Sequence, residues 1–433
     1  MYVKIDSVTY SDLRALSFAP QTDVTGDAVP INEFSAQIVT TDTIAYGQYA
    51  ELFNDTNVRF AKYWIVYAER ISAEVVQIVA RSDIALLDRV TLPAIMYNAE
   101  PIADVLDSVM VRQAGAGMVA TIEYTLSSAL NSVTISGFCP EQSARERLQW
   151  VCLAAGAYVR SFFGTKIRIA PIDTTMTVVP LEKTYWRPTV TYNDYVTAVT
   201  VMVYDFNQGT PGTMDEWVSD GTNTYIVSKQ AATLVNSNAP SSAPDNVITI
   251  DGVYLINGDN VGGILTYMAT MYFARTEVEL DAVNNGQYIP GDKLAVYTDT
   301  DSMVSGYAND MVFSFGKQSK SHIKLVAAGD VETATLTVLY KYGTTTIGQM
   351  QYVLPVGYVY TIDNPYLDKV LDGHRYIFRP TTATVTGTVA SGGNTINVAY
   401  EAALDLYQGI LHVIGVDEIT EESSGGITIG VIA

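Results

Sequence analysis

The sequence predicts a mainly β chain interrupted by an α+β insert, and three observations carry that reading. Apolar, β-branched and aromatic runs separated by turn residues fill the chain from Met1 to about Ala80 and resume at Pro188. Between them, Ser143 stands three residues before Glu146, the spacing of a capping box, and Leu148, Cys152, Ala155 and Val159 follow at helical intervals. Beyond Glu332 the pattern changes again, to a compact series of short strands.

Taken in order, residues 2–8 alternate, 34–39 are apolar and β-branched, 58–67 form a long aromatic run, and 71–78 add a further strand. Turns are expected at Thr25-Gly26-Asp27 and Asn54-Asp55. A sheet closing on itself would protect so many strand edges. Ser82 is placed to cap a short helix through Ile84, Leu86 and Leu87. Pro101 opens a second helix whose face is Ile102, Val105, Leu106 and Val109. Val133, Ile135 and Phe138 mark a strand before the capped helix, and Gly156 marks where that helix ends. Ile167 and Ile169, alternating with Lys166, Arg168 and Ala170, read as a returning strand.

Residues 188–206 read as one long β run through Val190, Val196, Val199, Val201 and Val203, and the Gly, Pro, Ser and Asn clusters that follow as an excursion of turns and hairpins. Asp259 or Asn260 opens a helix with Val261, Leu265, Met268 and Tyr272 on one face. Strands resume at 276–280, 293–297, 311–315 and 323–326.

The chain has 433 residues, room for two to four domains. With 48% hydrophobic residues, 16% charged and 29 Tyr, the composition fits a surface buried against other subunits, or else a β-rich monomer with Tyr on its strand faces. A net charge of −21 argues against gripping nucleic acid but is compatible with letting it pass. Cys139 and Cys152 form neither a disulfide framework nor a metal pattern. No basic start precedes an apolar run, and no apolar stretch reaches the ~20 residues of a membrane helix, so assembly in a cytoplasm is expected.

Signatures of catalysis are absent from the sequence. His322, His374 and His412 lack partners at metal-ligand spacing. Gly115 to Ala120 formally fits a dinucleotide fingerprint, but a helix through Gln113 would precede it and a strand follow it, the inverse of the required order, so a helix-ending loop is expected. Asp299-Thr300-Asp301 lacks the rest of a calcium loop, and no G-x-S-x-G occurs. The expectation is no enzyme, no cofactor and no metal.

Several of these segments, in this order, resemble phage tail hub proteins. The insert matches through Arg145, Glu146, Leu148, Gly156, Ala157, Ile167 and Ile169, preceded by RSDIALLDR and IMYNAEPIADVL. YIPGDKLAVYTD followed by VSGYANDMVFSFG resembles the closing barrel of the same family. Val338 to Tyr340, Gly357 to Ile362, Gly373 to Tyr376 and Val398 to Tyr400 resemble the small β-grasp repeats of mucin-binding-type modules, with Tyr342-Gly343-Thr344 in place of the usual Asp-Gly turn.

The resemblance implies a first tube-like β-barrel at 1–80, an α/β insert at 81–175 and a second barrel at 176–327 with inserted hairpins at 207–258. A β-grasp-like module follows at 328–402 and a C-terminal tail, a linker with a docking strand, at 403–433. It further implies a homotrimeric ring at the tail tip or baseplate of a virion. The ring would contact the tail tube, distal tail proteins and a central spike, fibre or tape-measure protein, while DNA passes through without specific binding. Asp6, Asp194 and Asp281, each beside a strand run, are candidates for the channel wall. The alternative is a tail-tip or cell-surface adhesin. In that reading Tyr358, Tyr360 and Tyr376, with Tyr340, Tyr352 and Tyr366 nearby, would contact host glycan, although most of these rings are expected to fill a small core. A cell-wall hydrolase has no catalytic signature to support it.

Overall fold

A computed structural model describes the chain apart from residues 27, 116–117, 161–166, 173, 186, 213–215, 300–301, 316–318, 372–373, 408–409, 413–417, 422–426 and 431–433. Asp27, Ala116-Gly117, Lys166, Thr300-Asp301 and Gly373 therefore lie outside the described residues. The chain forms two units, one of Met1–Thr298 with Val304–Gly329, the other of Asp299–Met303 with Asp330–Ala433.

The first unit begins with β1 (Tyr2–Ile5), β2 (Val8–Tyr10), β3 (Leu13–Phe18), β4 (Glu33–Val39), β5 (Tyr49–Phe53), β6 (Arg59–Ser72) and β7 (Val75–Arg81). In β4, Phe34, Ala36 and Ile38 are buried while Glu33 on the other face is exposed, as alternation requires. The strand expected at 71–78 is divided, because β6 runs on to Ser72 and turns at Ala73-Glu74 into β7.

The insert holds α1 (Ile84–Leu87), β8 (Thr91–Leu92), β9 (Ile95–Pro101), α2 (Ile102–Val109), β10 (Val111–Gly115), β11 (Met118–Thr121), β12 (Tyr124–Leu126), β13 (Thr134–Cys139), β14 (Gln142–Ser143), α3 (Ala144–Ala154), β15 (Ala157–Arg160) and β16 (Ile167–Pro171). Ser82 does not cap α1: its hydroxyl accepts the Asn32 N–H at 3.2 Å, and Asp83 occupies the cap position without a capping bond. The α3 capping box is complete. Ser143 Oγ accepts the Glu146 N–H at 3.2 Å, and Glu146 Oε2 accepts the Ser143 N–H at 3.0 Å. Gly156, at φ 61°, takes the left-handed conformation that ends the helix, so Val159 lies on β15 rather than on α3. The helix-ending loop expected at Gly115 is instead one arm of a hairpin, since α2 stops at Val109 and β10 pairs with β11. Ile102, Val105, Leu106 and Leu148 enter one buried cluster.

The second β region comprises β17 (Met176–Val178), β18 (Thr189–Tyr192), β19 (Ala198–Gln208), β20 (Trp217–Ser219), β21 (Thr224–Val235), β22 (Val247–Ile250), α4 (Val261–Tyr272), β23 (Thr276–Val283), β24 (Lys293–Tyr297), β25 (Met303–Ser314) and β26 (Lys320–Val331). The single run expected over 188–206 is two strands in two sheets. Asn193 N–H bonds to Arg275 O and Thr197 N–H to Asn246 O, so the chain leaves one sheet and enters the other between them. β19 then builds a four-stranded sheet, ordered β20-β21-β19-β22, on which α4 packs. The buried face of α4 is Ile264, Tyr267, Met268 and Met271, turned from the stripe expected at Val261, Leu265, Met268 and Tyr272. Tyr267 is drawn inward because its hydroxyl donates to Val24 O.

The two β regions join in one 13-stranded sheet, ordered β18-β23-β26-β25-β3-β4-β7-β6-β5-β1-β2, with β17 and β24 attached beside β25. Each region repeats one arrangement. In chain order β3, β4, β6 and β7 lie side by side as β3-β4-β7-β6, and β18, β23, β25 and β26 lie as β18-β23-β26-β25. Phe18, Phe60 and Phe313 meet where the regions join, with ring centroids 5.0–6.3 Å apart. The architecture is mainly β, with barrel-like sheets and a few helices.

The second unit is built of β27 (Thr333–Tyr342), β28 (Thr345–Pro355), β29 (Val359–Asp363), β30 (Leu367–Leu371), β31 (His374–Pro380), β32 (Thr384–Thr388), β33 (Asn394–Tyr407), β34 (Ile410–His412), β35 (Glu418–Glu421) and β36 (Ile427–Gly430). A six-stranded sheet runs β28-β27-β33-β31-β30 with β34 on β33, and its first and last long strands, β27 and β33, pair in parallel. β29 pairs with β32, and β35 with β36, apart from that sheet.

Candidate assembly surface

One face of the 13-stranded sheet is core, and at β23 and β26 the other carries a row of charged side chains. On β23, Val278, Leu280 and Ala282 are buried while Glu277, Glu279 and Asp281 alternate with them. Across on β26, Lys324 stands opposite Glu279 and His322 opposite Asp281. Lys324 Nζ lies 2.9 Å from Glu277, and His322 Nδ1 lies 2.8 Å from Asp281 Oδ1 with its Nε2 3.8 Å from Glu279. Burial pushes the Glu277 carboxyl up, but the hydrogen bonds from Lys324 and Asn193 prevail and hold it below the usual range. The same bond raises the Lys324 ammonium. In the other β region Glu33 on β4 pairs with Arg81 on β7 at 2.8 Å. Exposed pairs of this kind add at most about 1 kcal/mol each, so they define a hydrated surface rather than hold the sheet together.

Of the three candidate wall residues, only Asp281 lies on this face. Asp6 sits in the β1–β2 turn at φ 45°, where it accepts a bond from Gln48 Nε2 at 2.7 Å, and Asp194 is exposed in the break after β18. Glu277 and Glu279 share this row with Asp281, and an acid at every second position of 277–281 is readable in the sequence.

The tyrosines proposed for glycan contact are not assembled into one platform. Tyr360, on β29, is only 4% exposed. It packs over Gly387 of β32 so closely that a Cβ there would collide with its hydroxyl, and its ring is core. Tyr376 is half-buried on β31, in the other sheet, with its ring 5.5 Å from that of Phe378. Tyr358 is half-buried just before β29. Tyr340 and Tyr400 are buried edge to face at 5.3 Å. Tyr366, 73% exposed, is the accessible member of the set.

Among the described residues no group of three His, Cys, Asp or Glu side chains could hold a metal ion. No described helix is long and apolar enough to cross a membrane. Cys139 and Cys152 are buried, and burial pushes both thiols up to about 12. Neither should react with Ellman's reagent at pH 8 until the protein unfolds, and rapid labelling of the native chain would contradict this placement.

No protein-family model matches the chain, and no curated protein matches it. Solved structures do. A tail protein from Neisseria meningitidis MC58 aligns with TM-score 0.50 at 9% identity over 75% of this chain and 95% of its own. The 43 kDa tail protein of prophage MuSo2 from Shewanella oneidensis gives 0.52 at 10% over 75% and 97%. Prophage tail protein gp18 from Listeria monocytogenes EGD-e gives 0.50 at 7% over 75% and 93%. At these identities the likeness is one of fold: most of this chain shares the fold of three tail proteins, two of them from prophages.

Proposed function

We propose that this chain is a structural hub protein of a phage or phage-like tail tip. Three copies form a ring that joins the tail tube to the baseplate or tip and surrounds the DNA channel. The observation that carries the reading is the repeated strand arrangement within one sheet, β3-β4-β7-β6 and β18-β23-β26-β25, on a fold shared with tail proteins. A chain with two like β regions offers two like surfaces, so three chains offer six.

The work of such a part is mechanical. Its partners are copies of itself, the tube and distal tail proteins, and a central spike, fibre or tape-measure protein. It does no chemistry and takes no cofactor. The wall face, with Glu277, Glu279 and Asp281 against His322 and Lys324, neutralises few phosphates, so DNA slides past without counterion release and without tight binding. The second unit offers a small β module for tip partners or host glycan, with Tyr366 and Tyr342 exposed on it.

Sedimentation equilibrium of the purified chain tests the assembly. A mass of three chains is expected, and a monomer at micromolar concentration would contradict the reading. Duplex DNA mixed with that assembly should migrate unretarded at low salt, and a retained band would overturn the channel assignment.

A further inference from the structure

The sheet of the first unit carries its own template for a subunit joint. Where the two β regions meet, β25 lies antiparallel to β3 with Phe313 opposite Phe18. The contact continues through a bridge from Gln21 to Asp310, with Thr22 N–H on Asn309 O at 2.9 Å and Met311 N–H on Pro20 O at 3.0 Å. In this joint the fourth-placed strand of one region meets the first-placed strand of the other. The strands that correspond to β25 and β3 elsewhere in the chain are β6 and β18.

Both of these have an unpaired edge. β18 ends the sheet, with β23 on its inner side. β6 has β7 along one edge, but on the other β5 covers only Arg59 to Trp64. Among the described residues no strand pairs with that second edge at 67–72. Both edges display apolar side chains: Tyr67 is 44% and Ile71 49% exposed on β6, and Tyr192 is 66% exposed on β18. Beside β18 the Arg275 guanidinium stacks 4.3 Å from the Tyr195 ring and 5.5 Å from the Tyr192 ring, so an aromatic surface flanks that edge.

We propose that β6 of one copy pairs with β18 of the next, reproducing the β25–β3 joint, so that the sheet continues from chain to chain. The proposal rests on the reading of the chain as a ring-forming hub. Pairing removes two open edges at once, and a head-to-tail contact of this kind closes when the rotation between copies divides a full turn. The internal joint also supplies the register. Phe18, the last residue of β3, faces Phe313, the last but one of β25, so Tyr192, the last residue of β18, faces Ile71, the last but one of β6.

A chain carrying Ile71→Cys and Tyr192→Cys tests this by oxidative cross-linking. Neighbouring strands bring Cα atoms within disulfide range, and the two native thiols are buried. Both replaced side chains are exposed, and a melting curve confirms folding. A covalent trimer is expected on a non-reducing gel, with each single variant stopping short of it. Val8→Cys with Tyr192→Cys, which places one thiol on β2 at the opposite end of the sheet, should not cross-link. A protein that sediments as a trimer yet fails to cross-link through 71 and 192, or cross-links through position 8 instead, overturns the joint and leaves the ring standing. A monomer overturns both.

Discussion

Leu148→Asp is expected to unfold the insert. Leu148 is fully buried on α3, in a cluster with Leu106, Ile135 and Val151. An ionised carboxylate in that apolar cluster is stripped of water, and burying it costs several kcal/mol, comparable with the whole stability of a domain of about 5–15 kcal/mol. Thermal melting should show loss of the cooperative transition or a drop of well over 10 °C, whereas Leu148→Met, which keeps the volume, should cost less than about 1.5 kcal/mol. A wild-type melting curve for the Asp variant would mean that α3 is misplaced.

The second large effect is expected at Arg160, which ties the insert to the second β region. The residue is 6% exposed. Its Nη1 lies 3.1 Å from Asp292 Oδ1, its Nη2 donates to Gly291 O at 2.6 Å, and its Nε donates to the Tyr158 hydroxyl at 2.7 Å. Arg160→Met fills much of the space but removes the guanidinium from Asp292, which keeps the Ile289 N–H, and from the Gly291 carbonyl, which keeps the Tyr158 hydroxyl. Removing one partner of a fully buried pair typically costs about 3–5 kcal/mol, and this partly buried pair, whose acceptors keep other donors, should lose less. Urea unfolding should show that loss as a lower midpoint, with a smaller loss for Asp292→Asn. An Arg160→Met midpoint within 0.5 kcal/mol of the wild type, by the usual scatter of surface substitutions, would show that the latch contributes nothing.

What could be read from the sequence was local. The α3 capping box joins residues three apart, and the α2 face and the alternation of β4 and β23 need only a short window. β3 and β5 went unread: β3 has an irregular burial pattern and a bulge between Leu13 and Ala15, and β5 is only five residues long. The division of 188–206 was invisible because β propensity does not say when a strand changes sheets. The face of α4 was misjudged because Tyr267 looks like a surface residue until its hydroxyl finds Val24 O. Tyr360 was offered to a ligand because nothing local reveals that Gly387 makes room for it in the core. The contact of Phe18 with Phe313 spans most of the first unit, and no periodicity encodes it.

The charged row on β23 and β26 followed the same division. Asp281 was picked out as a residue beside a strand, but its neighbours Glu277 and Glu279 gain meaning only once β26 brings His322 and Lys324 opposite them. The two edges of β6 and β18 likewise became comparable only when the strand order was known, because nothing in YAERIS at 67–72 or TVTY at 189–192 marks an edge in the sequence.

Cryo-electron microscopy of the purified full chain tests the central claim most directly. The account predicts a closed ring of three copies around an open channel, with β6 of each chain beside β18 of the next and Glu277, Glu279 and Asp281 on the channel wall. A monomer, a ring of another order, or a channel lined by clustered Lys and Arg would contradict it.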